Sequence, residues 1–281
     1  MVKIITDSTC DLSKELIEKL DIDVIPLYVN FSDEAFLDGI EITTEKLYEK
    51  VEEKNELPKT SAIPIPTFIE YFEKHVNNGD DVIYLGISRQ MSRTFENAIM
   101  AAREVDENKV FIVDSMNLST GIGLLVLKAC KYRDSGASAK AIAEKLNVDN
   151  KRVLSQFAIE RMDFLHKGGR CSSVAKIFGT LLKIKPIIAV RDGKMHVQAK
   201  PIGKMKRALD TMINQIIADK ERLDTDHIFI THSLGFEYCD YIYEILKKEF
   251  PNTDIITTVA GCVISSHCGK GTIGILYMVN E

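Results

Sequence analysis

Short apolar runs alternate with stretches of helical periodicity along the first half of the chain. Val2–Thr6 reads as a strand, Asp11 stands where it would cap a helix running to about Leu20, and Val24–Val29 reads as the next strand, ending near the acidic turn Ser32-Asp33-Glu34. Val82–Ile87 leads through a polar loop into a helix from about Thr94. Val110–Val113 follows, then helices near Ser119–Arg133 and Ser138–Leu146. Short apolar strands separated by helices predict a mostly parallel sheet covered on both faces.

The pattern changes near residue 150. After a strand near Val153–Ile159, Lys185–Arg191 and Lys194–Lys200 flank Asp192-Gly193, a dipeptide that tolerates the positive φ of a tight hairpin, so an antiparallel insertion is expected there. Met205, Ala208, Leu209, Met212, Ile213, Ile216 and Ile217 recur at helical spacing and make one apolar face, read as core rather than ligand wall. Ile228–Thr231, a helix around Phe236–Phe250, and Asp254–Val259 follow; a polar, glycine-containing loop and a last strand, Ile273–Val279, close the chain. The expectation is an α/β protein of two α/β domains, residues 1–152 and 153–281, the first with a mostly parallel sheet flanked by helices and the second mixed, with an antiparallel hairpin.

The 281-residue length suits two such units, and 45% hydrophobic with 27% charged residues is ordinary for a globular chain. A net charge of −5 is a poor footprint for a polyanion, so nucleic acid is not an expected partner. Apolar runs such as Leu124–Leu127 and Ile273–Val279 fall far short of the ~20 residues needed to cross a bilayer, and the start of the chain lacks a secretory apolar core. The six cysteines are scattered without a Cys-x-x-Cys, which points to a reducing cytoplasm. Cys262, His267 and Cys268 lack the paired spacing of a zinc site, and no metal is expected.

Several polar clusters fall where strands should end: Thr6 to Thr9, Thr60-Ser61, Ser88 to Thr94, Asp114-Ser115, and Ser265 to Gly269. Most carry neutral hydroxyls rather than a paired acid and base. Hydroxyls and a histidine suit an anion, because a carboxylate taken from water must accept several hydrogen bonds. Ser92 and Thr94, at a predicted helix start, serve equally well as caps or as anion donors. Ser92, His267 and Asp7 supply the residue types of a hydrolytic triad, but no Gly-x-Ser-x-Gly elbow occurs. Gly269-Lys270-Gly271-Thr272 fails the phosphate-loop pattern, with Ile264 and Gly271 at positions that require glycine and a hydroxyl, so no nucleotide cofactor is expected. Lys167-Gly168-Gly169-Arg170 sets a permanent cation after a flexible turn, fit for a salt bridge or a carboxylate contact. His166, His196, His227 and His232 stand in no partner pattern.

Over nearly its whole length the chain resembles the DegV family of bacterial fatty-acid-binding proteins. The resemblance is carried by Ile5 to Leu12, Val24-Ile25-Pro26-Leu27, Asp38-Gly39, Lys59-Thr60-Ser61, Ile87-Ser88 with Met91 to Phe95, Val113-Asp114-Ser115, Lys167 to Arg170, Lys183 to Ile187, and Ser266 to Gly271, in this order. It implies a long-chain fatty acid enclosed between the domains, its carboxylate held by Thr60, Ser61, Ser92 and His267, with Thr94 in the same loop and Arg170 close by. It further implies no catalysis by this chain: a separate ATP-binding fatty acid kinase subunit would phosphorylate the bound carboxylate to feed phospholipid synthesis. The chain departs from the family pattern at Ala62-Ile63, at Lys270 and at Arg93, which adds bulk and charge beside the implied head-group site. Burying about sixteen carbons at ~0.8 kcal/mol per methylene supplies a gross ~12 kcal/mol, against which ordering and desolvation are set.

Overall fold

In a computed structural model, which describes residues 1–175 and 184–280, most of the alternating strands and helices read in the first half form. Val2–Asp7, Ile22–Ile25, Asp81–Gly86 and Val110–Asp114 form a four-stranded, wholly parallel sheet. Its spatial order puts Ile22–Ile25 at one edge, beside Val2–Asp7, then Asp81–Gly86 and Val110–Asp114. Chain order therefore reverses on either side of Val2–Asp7, and the carboxyl ends of that strand and of Asp81–Gly86 open onto a crevice where α/β sheets bind ligands.

Two readings of the first half are corrected. Val24–Val29 is not one strand: Pro26, with no N–H to give a ladder, ends Ile22–Ile25, and Tyr28–Asn30 joins Ala35–Leu37 and Lys59–Ser61 in a separate antiparallel sheet. Asp11 does not cap the first helix, Lys14–Lys19, whose cap is Ser13, accepting from Leu16 N. Asp11 instead turns the chain at φ 53° and sends its carboxylate to a distant helix. Helices Thr44–Lys54 and Ile65–Val76 complete a stretch whose sequence pattern is weak.

The second half builds a six-stranded mixed sheet. Its order is Lys194–Ala199, Ile187–Arg191, Val153–Ala158, Thr272–Val279, Leu223–Ser233 and Asp254–Val259, antiparallel except for the last pair. The Asp192-Gly193 hairpin forms, both residues at positive φ, but it is not an insertion: Ile187–Arg191 pairs with Val153–Ala158, so the hairpin extends the sheet to its edge. Lys183 of the segment matched to the family lies outside the described residues. Thr272–Val279 is buried at every position because it is central and covered on both faces. One face of the sheet packs on helix Met205–Ala218, whose apolar stripe is core as read. Phe157, Phe229 and Leu276 point to the other face and join the core that also holds Ile83, Leu85 and Leu125 of the first half.

The largest correction concerns residues 261–271. Cys262–Cys268 is a helix, not a loop, and a second short helix, Met162–Gly168, precedes the Gly169 turn.

Candidate functional site

A cavity of about 470 Å³ lies between the carboxyl ends of the parallel strands and the inner face of the six-stranded sheet. Ile87, Met91 and Leu118 line it from the first half, Phe157 and Leu276 from the sheet, and Val263 and Ile264 from the Cys262–Cys268 helix. Ser119, Thr231 and Ser233 also reach it, but their hydroxyls are engaged with protein. Ser119 donates to Asp11 at 2.5 Å, Thr231 pairs with Thr120 at 2.6 Å, and Ser233 pairs with Tyr48 at 2.5 Å and Ser265 at 2.7 Å.

Five of the six residues named from sequence, Thr60, Ser61, Ser92, Arg170 and His267, line this one cavity. Thr60 is delivered by sheet pairing, since Lys59–Ser61 is in register with Tyr28–Asn30 and Val29 sits opposite Thr60. Its Oγ1 lies 2.8 Å from His267 Nε2. Ser61 accepts from Asn30 Nδ2 at 2.9 Å. Ser92 Oγ accepts from Thr94 N at 3.2 Å and pairs with Thr94 Oγ1 at 2.8 Å. The sixth residue, Thr94, is fully buried behind Ser92 and does not reach the cavity. Arg93 does, and neither it nor Arg170 forms an ion pair among the described residues. Arg170 Nη1 donates to Gly168 O at 2.6 Å.

His267 is held by carboxylates that no local reading of its segment reveals. Cys262 N and Val263 N donate to Asp38 at 2.7 and 3.3 Å, and Gly261 N donates to Asp11 at 2.8 Å, so two acids of the first half satisfy free N–H groups at the start of the His267 helix. Ser8 completes the Asp38 shell at 2.9 Å. Burial pushes both carboxyl pKa values up, while hydrogen bonds, led by Ser119 for Asp11 and Ser8 for Asp38, work in the opposite direction. Glycine at 261 suits this approach, since a β-carbon there would stand a tight 3.2–3.3 Å from Asp11 and Asp38 oxygens. The Asp38-Gly39 pair was visible as a motif, but its partner lies more than two hundred residues away.

Burial, followed by the Arg170 charge, lowers the His267 pKa to about 4. The imidazole is neutral at physiological pH and acts as a hydrogen-bonding group, not as a counter-charge. The triad is not assembled: Ser92 faces Thr94, His267 faces Thr60, and Asp7 accepts from Thr9, Tyr84 and Ile87 N. All six cysteines are buried and free, and burial raises the Cys268 pKa to about 12, leaving a protonated thiol. Among the described residues no three His, Cys, Asp or Glu side chains group to hold a metal, and no helix is long and apolar enough to cross a membrane.

The cavity is thus mostly apolar, its wall carrying neutral donors and two arginines, Arg93 and Arg170, that form no ion pair among the described residues, an arrangement that suits an amphiphilic anion. Comparison with known proteins bears on the same point. Residues 1–280 match the model of the DegV family, described as uncharacterised proteins. A DegV domain-containing protein of Clostridium perfringens is 35% identical over 279 residues, 99% of this chain and 98% of that protein. A DegV family protein of Thermus thermophilus, described by its fatty acid binding, superposes with a TM-score of 0.92 at 29% identity, covering 99% of each chain. DegV of Bacillus subtilis, described as a fatty acid binding protein, superposes with a TM-score of 0.88 at 29% identity, again over 99% of each.

Proposed function

Because the chain belongs to the DegV family, we propose that it binds one long-chain fatty acid in the cavity between two α/β domains, residues 1–152 and 153–281. The observation that carries this reading is the cavity itself: it is large enough for a drug-sized or lipid ligand, apolar over most of its wall, and fitted with hydroxyls and a neutral histidine on the remainder. The carboxylate is held by Thr60, Ser61 and Ser92, with His267 behind Thr60 and Arg170 as a nearby cation. Thr94 orients the Ser92 hydroxyl rather than touching the ligand. The protein has no chemistry of its own in this reading. It acts in the cytoplasm, presenting the bound acid to a separate ATP-binding fatty acid kinase subunit for acyl-phosphate formation. The unassembled Ser92–His267 pair supports binding over hydrolysis.

Native mass spectrometry of gently purified protein tests the reading. A co-bound species of fatty-acid mass is expected; an apo mass together with no uptake of palmitate or oleate would sink it. Ser92→Ala should weaken acyl binding by about 1–3 kcal/mol through loss of a buried bond to a charged group. Phosphorylation of the carboxylate only when an ATP-binding subunit is added tests the division of labour, and fluorophosphonate labelling at Ser92 would instead indicate acyl transfer.

A further inference from the structure

The His267 ring has an unusual neighbour. Helix Met162–Gly168 ends against it, and a β-carbon added to Gly168 would collide with His267 Nδ1 and stand only 3.3 Å from Cε1 and 3.4 Å from Cγ. Backbone conformation does not explain this glycine. Gly169 takes the left-handed turn at φ 68°, whereas Gly168 is not among the residues at positive φ. What Gly168 permits is close approach of backbone to imidazole. Arg170 folds back on the same turn through its bond to Gly168 O, which clamps the turn over the ring.

The consequence is chemical. Nδ1 is sealed from solvent and has no hydrogen-bond partner among the described residues, while Nε2 faces Thr60 Oγ1. A buried N–H left without an acceptor forfeits its hydration with nothing in return, so the nitrogen that lacks a partner is the one better left without the proton. Nδ1 therefore carries the lone pair and Nε2 the proton, the partner of one nitrogen setting the state of the other. Nε2–H then donates to Thr60 Oγ1. The threonine hydroxyl, whose one partner among the described residues is His267, is left with its own proton to give to an anion in the cavity.

Resting on the fatty-acid reading, we infer that Gly168 is a positioning residue: by letting the turn close on His267 it fixes the Nε2–H form of the ring, which makes Thr60 an obligate donor to the bound carboxylate.

Palmitate titration calorimetry on the full chain, with Gly168→Ala, His267→Ala and the double variant, tests the linkage, beside ¹⁵N-histidine NMR of the wild type. Gly168→Ala should weaken palmitate about tenfold, and in the His267→Ala background its effect should shrink to within about twofold, because the group it displaces is gone. Gly169→Ala strains the same turn at positive φ, yet its added methyl meets nothing within 4 Å, so it should lower stability without lowering affinity. NMR should show Nδ1 unprotonated through the neutral range. Equal losses from Gly168→Ala in both backgrounds, or a protonated Nδ1, would overturn the inference while leaving fatty-acid binding intact. Undiminished affinity in His267→Ala would overturn the head-group reading and the role of Gly168 together. Should Gly168→Ala fail to fold, the wild-type tautomer alone decides.

Discussion

Asp38→Ala removes the carboxylate that joins the first half of the chain to the His267 helix. Asp38 is 3% exposed and accepts from Cys262 N, Val263 N and Ser8 Oγ. Truncation leaves two buried helix N–H groups without partners at a cost of roughly 1–3 kcal/mol each. The burial that raises the Asp38 pKa is itself unfavourable to the ionised form, and relief of that cost offsets part of the loss. The net expectation is destabilisation by about 3 kcal/mol, or a melting temperature lower by roughly 5 °C for a chain of this size. Asp38→Asn keeps an acceptor oxygen without burying a charge and should cost about half as much. Urea unfolding of the ligand-free protein measures both. Palmitate affinity should fall as well, since loosening the first turn of the helix disturbs the 2.8 Å contact of His267 with Thr60. If Asp38→Ala unfolds within about 0.5 kcal/mol of the wild type, the cap is not what holds this helix. If Asp38→Asn is as damaging as Asp38→Ala, charge acting on the helix terminus outweighs hydrogen-bond satisfaction, contrary to the reasoning above.

Thr60→Val, near-isosteric and without a hydroxyl, should weaken palmitate about tenfold while His267→Gln weakens it less, as read by calorimetry. Acid should act through His267 with a definite sign. Its pKa is lowered from 6.5 to about 4, so the stability it contributes is complete above the unfolded value and is lost as pH falls toward 4. Asp7, Asp11 and Asp38, with raised values, shift stability in the opposite direction as they take up protons. Palmitate affinity should accordingly be flat between about pH 6 and 8; a steep decline above about 6.5 would mean that imidazolium holds the ligand. Ile264→Trp should fill part of the cavity, displacing about four methylenes and costing ~3 kcal/mol of acyl affinity with little change in unfolding midpoint; unaltered binding would place the chain elsewhere. Gly193→Ala, at φ 73° and crowded by Ser88 Oγ, should destabilise the hairpin by about 1–2 kcal/mol in thermal melts, since Ser88 donates to Gly193 O at 2.9 Å.

Periodicity and turn chemistry carried the repeating parts of this protein. Apolar runs at Val82–Ile87 and Val110–Val113 specify buried strands, Asp192-Gly193 supplies the positive-φ pair of a hairpin, and the Met205–Ile216 stripe can only be buried against a sheet, because each signal lies within one local stretch of chain. The candidate site was legible as residue types, since hydroxyls at strand ends announce hydrogen-bond donors wherever they meet. Tertiary structure decided what those donors face. Cys262–Cys268 is too short to show helical periodicity and is capped by Asp11 and Asp38, so its helicity is not encoded in its own residues. Thr94, equivalent to Ser92 in sequence, turns inward because it begins a helix packed on the core. Gly168 signals only flexibility in sequence, and it is the approach of the His267 ring, brought by a strand and helix a hundred residues later, that turns the missing side chain into a requirement. Local pattern selects elements because it depends on neighbours in the chain, whereas the cavity, its hydrogen-bond partners and its caps depend on neighbours in space.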